Sequence, residues 1–145
     1  MTDIQIILDE IVIMLKRELN YVQNDFHFIE ASQSLMIRNV VAVSWDAETD
    51  EYCFAFAANI EPLGAVSMIN TLHKNGIHNI KLLNYYYISK IEKDTSGGPK
   101  VYFSAEAMDQ FYKESDMQKR EEVLHELEQN FEFFDHVGNG KHTIH

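Results

Sequence analysis

Histidines and carboxylates are the chain's main stock of reactive side chains, and their spacing decides which chemistry is open to them. His125-Glu126 begins like the HExxH of a metalloprotease, in which two histidines one helical turn apart hold zinc beside a glutamate base. Position 129 is Gln, so the second ligand is missing. His136, His142 and His145 gather near the C-terminus, but widely spaced and without cysteine they do not form a structural zinc pattern. Asp46, Glu48 and Asp50 alternate as calcium ligands do, yet lack the central glycine and distal bidentate glutamate of an EF-hand. Gly138-Asn139-Gly140-Lys141 is too short for a phosphate loop, and the serines sit at caps and turns rather than on a nucleophile elbow. Cys53, set among Ala and Phe residues, is expected to be a buried, inert thiol. No catalytic residue, cofactor or metal site is therefore expected. The alternative that keeps chemistry in play is a small-ligand sensor or enzyme with a pocket between sheet and helices, served by His73, His78 or His125.

The composition describes the body that would carry such groups. At 145 residues, with 46% hydrophobic and 24% charged residues, the chain can bury a core and falls within one domain's usual size. No apolar run is long enough for a membrane helix, and the acid-containing N-terminus does not read as a signal peptide. A single cysteine fits a reducing compartment, so a cytoplasmic location is expected. The net charge of −11 works against binding nucleic acid phosphates or anionic membranes. That charge is unevenly distributed. Asp46, Glu48, Asp50 and Glu51 crowd one turn. Asp116, Glu121, Glu122, Glu126, Glu128, Glu132 and Asp135 outnumber Lys119 and Arg120 near the C-terminus, whereas residues 60–104 are slightly basic.

The periodicity then changes along the chain. Ile4, Ile7, Leu8, Ile11, Val12, Met14, Leu15 and Leu19 predict an amphipathic first helix, with Asn20 as its end. Alternation predicts a short strand near residues 26–31 and a hairpin of residues 35–45 with 51–58. Asn59 as cap, Pro62 in the first turn and Gly76 as stop delimit a second helix. A second hairpin is expected from Ile80 to Ile91 and from Lys100 to Ser104, turning through Thr95-Ser96-Gly97-Gly98-Pro99. Two helices follow, one bearing Met108, Phe111 and Tyr112, the other Leu124, Leu127, Phe131 and Phe134. The expected fold class is α+β: an antiparallel sheet of about five strands with helices packed on one face, in the order α-β-β-β-α-β-β-α-α. Residues 1–136 are read as a single domain and 137–145 as a mobile tail.

Tyr85, Tyr86 and Tyr87 lie in a segment apolar on both faces, which predicts a second covering layer or a contact surface. The order of elements is similar to that of type III secretion chaperones, as is the Glu61-Pro62-Leu63 entry followed by Met68, Ile69 and Leu72. The two-part C-terminal helix and the histidine-bearing tail depart from it. This resemblance implies homodimerisation and capture of a partner's extended segment. The resulting expectation is a non-enzymatic protein-binding module, acting as a chaperone, inhibitor or immunity-like protein. Trp45, Tyr85 and Tyr87 would supply contact area, and Asp46, Glu48, Asp50, Glu122 and Glu126 would steer a basic partner. The same acids could imitate the charge of DNA and occupy a nucleic-acid-binding protein.

Overall fold

Apolar residues at three- and four-residue spacing fold Asp3–Leu19 into helix α1, which buries Leu8, Ile11, Met14 and Leu15. Asn20 takes a left-handed conformation (φ 59°), and the Tyr21 amide then donates to the Leu15 carbonyl, ending the helix at the expected residue. The structure is a computed structural model, and it describes residues 3–84, 88–93, 99–103, 105–112, 116–130 and 132–133. Two compact units are present: Met1–Ala57 with Thr71–Asn84, and Ala58–Asn70 with Tyr85–His145.

The first unit holds a five-stranded sheet in the order β1 (Phe26–Ile29), β2 (Ser34–Ile37), β3 (Val41–Asp46), β4 (Glu51–Phe56) and β5 (Ile80–Leu82). Helix α1 packs on β2 and β3. The register places Leu35, Val43, Phe54 and Leu82 in one row and Phe26, Ile37, Val41 and Phe56 in the next, all on one face and all buried. Tyr52 shares that face and reaches α1 through its hydroxyl, so this is the face that α1 covers. His27, Met36, Ala42, Ala55, Ser44, Cys53 and Lys81 occupy the opposite face; apart from buried Cys53, each is at least partly exposed.

The α+β class and the five-stranded, mostly antiparallel sheet are as expected, but two expected strands are each divided. Residues 35–45 form β2 and β3, joined by a turn in which Arg38 and Asn39 both have positive φ. Ile37 and Val41 pair across that turn, and their separation of four residues preserves the alternation, so nothing in the hydrophobic pattern marks the break. Residues 80–91 are also divided. Leu82 ends β5, and Ile88–Lys93 (β6) joins a separate sheet with β7 (Pro99–Phe103) and β8 (Glu132–Phe133). Strand β5 runs parallel to β4, a consequence of entering the sheet through a helical crossover rather than a hairpin.

That crossover contains helix α2, Pro62–Lys74. Its N-cap is Glu61 rather than Asn59: a Glu61 carboxylate oxygen accepts the Gly64 amide at 3.2 Å, with Pro62 in the first helical position. The second unit contains α3 (Ala105–Phe111) and α4 (Met117–Asn130). Met108, Tyr112, Val123, Leu124 and Leu127 are buried, and the Tyr112 hydroxyl donates to Glu61 at 3.1 Å. The last helix is shorter than its apolar pattern suggests. It stops at Asn130, and Glu132–Phe133 pair parallel to β7, consistent with the strand preference of an aromatic-rich segment.

Candidate functional site

The first acidic cluster caps the β3–β4 hairpin, but its members do different work. Asp46 accepts the Glu48 amide at 3.0 Å through one carboxylate oxygen and pairs with Lys81 of β5 at 2.8 Å through the other. The Lys81 ammonium and the turn amide hold its carboxyl below the usual aspartate range. Asp46 therefore braces β3 to β5 and closes the turn. Glu48 and Asp50 are exposed. Asp50 occupies a left-handed position (φ 55°), and its carbonyl accepts the Asn79 side-chain amide at 2.8 Å. Glu48 and Asp50 thus present charge to solvent, whereas Asp46 is spent on the fold.

Trp45 stands at the end of the α1-covered face rather than on the open one. Its ring meets Tyr52 edge-on at 4.9 Å and remains half-buried. The Tyr52 hydroxyl donates to Glu10 at 2.9 Å and approaches the Ile7 carbonyl at 3.2 Å. Burial first, and Glu10 second, push the Tyr52 phenol well above its ordinary pKa, so it serves as a neutral donor that ties α1 to β4.

The second acidic cluster lies on α4. Glu122 and Glu126 are exposed and one helical turn apart, while Arg120 is largely covered and bonds to Asp109 at 2.5 Å and Glu121 at 3.0 Å. Its guanidinium is thereby withdrawn from the outer face. Tyr85, Tyr86, Tyr87, His136, His142 and His145, together with the expected tail 137–145, lie outside the described residues.

Among the remaining histidines, His125 is exposed on α4, whereas His73 and His78 come together in the first unit with Nδ1 atoms 3.3 Å apart. Gly76 makes this possible. At φ 92° it closes α2 in a Schellman turn, donating to the His73 carbonyl at 3.1 Å while Ile77 donates to Leu72 at 3.0 Å. A side chain at Gly76 meets no atom within 4 Å, so the cost of Gly76→Ala is backbone strain. We expect about 1–2 kcal/mol of destabilisation by urea titration, and a wild-type midpoint in the variant would refute the assignment.

Comparison with protein-family models, curated proteins and solved structures finds no match. No helix among the described residues is long and apolar enough to cross a membrane. Sequence reasoning missed the partners that divide the acids between structure and surface. Lys81 lies 35 residues from Asp46 and Asp109 lies 11 from Arg120, and no local spacing rule connects either pair.

Proposed function

We infer that the chain is a protein-binding module that presents an acidic surface to a basic partner. The supporting observation is the outer face of α4. Exposed Glu122 and Glu126 sit at i,i+4, where like charges cost a helix a few tenths of a kcal/mol, while the helix's one arginine is turned into pairs with Asp109 and Glu121. An arrangement that spends its arginine locally and leaves two neighbouring glutamates exposed favours long-range attraction of cations. Within the first unit, half-buried Trp45 adjoins the turn bearing exposed Glu48 and Asp50, an aromatic contact beside steering charge. The order of elements expected from the sequence resembles that of secretion chaperones, and that resemblance would imply protein capture by a homodimer.

The full chain and a Glu122→Lys/Glu126→Lys variant, each immobilised, provide the test by capture from lysate at low and raised salt. Basic proteins should be retained by the parent chain, be lost from the variant, and fall away steeply as salt screens the contact. Identical retention by both chains would overturn the reading. Enrichment confined to nucleic-acid-binding proteins would identify DNA imitation as the form it takes.

A further inference from the structure

We propose that the outer face of α1 pairs antiparallel with the same face of a second copy of this chain, about a two-fold axis at Ile13. The core takes Leu8, Ile11, Met14 and Leu15 from the inner face of the helix. Ile6 and Ile13 lie on the other side, 54% and 61% exposed, and Ile13 is the most exposed large apolar side chain among the described residues. A lone exposed isoleucine is ordinary, because folded proteins keep much apolar surface in contact with water. Two that stand seven residues apart fall within about 20° of one line along the helix, which is the repeat of a helix–helix seam. Asp9 and Glu10 fill the turn between them, and Lys16 and Arg17 fill the turn after Ile13.

The reversal of charge along this face selects both the occupant and its register. A parallel pair sets each residue against its own copy, so Asp9 meets the partner's Asp9 and Lys16 the partner's Lys16. An antiparallel pair centred between the isoleucines sets Ile6 on the partner's Ile13, but also Asp9 against the partner's Glu10. Centred on Ile13, the same pairing sets Ile13 on its own copy, Asp9 opposite the partner's Arg17 and Glu10 opposite the partner's Lys16. Each acid then faces a base, and the two helix dipoles run in opposite directions. The bases lie within reach of a partner: Arg17 bonds to Glu18 at 2.8 Å with its own side chain 57% exposed, and Lys16 bonds to Gln23. Asp9 and Glu10 are both exposed, although Glu10 accepts the Tyr52 hydroxyl through one oxygen. The contact runs along a helix of 17 residues, about 25 Å in length. That is at the small end for a protein interface, so the dimer forms in the range of about 10–100 μM.

Sedimentation equilibrium of the full chain, from about 5 μM to about 1 mM, tests the pairing. The mass should rise with concentration from 16.9 kDa toward twice that value. Ile13→Glu sets two carboxylates across the axis and should hold the chain at the monomer mass, with an unchanged circular dichroism spectrum because the position is exposed. Asp9→Arg and Arg17→Asp test the register. Each alone sets like charges at both symmetry-related contacts, whereas an equimolar mixture restores both opposite pairs. The mixture should therefore dimerise at least about tenfold more tightly than either variant alone. A parent chain that stays at the monomer mass throughout would overturn the proposal, as would a dimer that survives Ile13→Glu or a mixture no tighter than its components. The acidic face of α4 belongs to the other unit and takes no part in this contact, so a monomeric parent leaves the binding of basic partners a separate question.

Discussion

Phe54→Ala is expected to destabilise the first unit by about 3–5 kcal/mol, the largest effect of any single truncation considered for this chain. Phe54 is fully buried in the centre of β4, flanked in register by Val43 on β3 and Leu82 on β5, and its ring stacks on Phe56 at 6.2 Å. It lies on the sheet face that α1 covers and is itself fully enclosed. The loss combines the transfer free energy of the ring with the cavity left in a sheet whose neighbours are pinned by pairing on both sides. Trp45, the chain's one tryptophan, sits 4.9 Å from Tyr52 in the same unit, so its fluorescence reports the unfolding of this sheet. Urea titration followed at Trp45 should show a lower midpoint with little change in slope. A loss below about 1 kcal/mol would mean that the ring is not enclosed between sheet and helix.

Why Phe54 was legible from sequence and other features were not comes down to the range of the interactions that fix them. Its burial follows from alternation, which a strand imposes on its own residues. The same holds for the apolar face of α1, and for the end of α2, where Gly76 marks the left-handed stop. Arg38 is different. It occupies a left-handed turn position that arginine does not favour, and it is held there from 13 residues away by Asp25 at 3.3 Å and by the Tyr21 ring, 3.7 Å beneath its guanidinium. No turn signal exists at that residue because its conformation is set by tertiary partners. The acids divide in the same way. Their exposure as a class was readable from composition, but the pairing of Asp46 with Lys81 depends on the parallel placement of β5, which itself depends on α2. The spacing of His73 and His78 was visible in the sequence, but a contact arises from it only once the Gly76 turn folds the chain back.

Asn84 carries the second large expectation, because its side chain does the work of a strand. Beyond Leu82 the parallel ladder continues for one bond, from the Leu83 amide to the Phe54 carbonyl at 2.8 Å. The next rung is made by the Asn84 carboxamide alone. Its oxygen accepts the Phe56 amide at 3.0 Å, and its nitrogen donates to the Phe56 carbonyl at 2.8 Å. Both backbone groups of a buried residue thus depend on one side chain, and leaving a buried polar group unpaired costs about 1–3 kcal/mol. Asn84→Leu, close in size and without polar atoms, should therefore destabilise the first unit by about 2–4 kcal/mol. Asn84→Asp separates the two bonds. The carboxylate still accepts from the Phe56 amide but faces its carbonyl without a proton to donate, so the variant should fall between the parent and Asn84→Leu at neutral pH. It should recover toward the parent as the pH is lowered and the carboxyl gains its proton. If Asn84→Leu matched the parent in urea, solvent rather than Asn84 would be satisfying the end of β4. A graded series with that pH response would instead fix Asn84 as the residue that terminates the sheet where the chain leaves it.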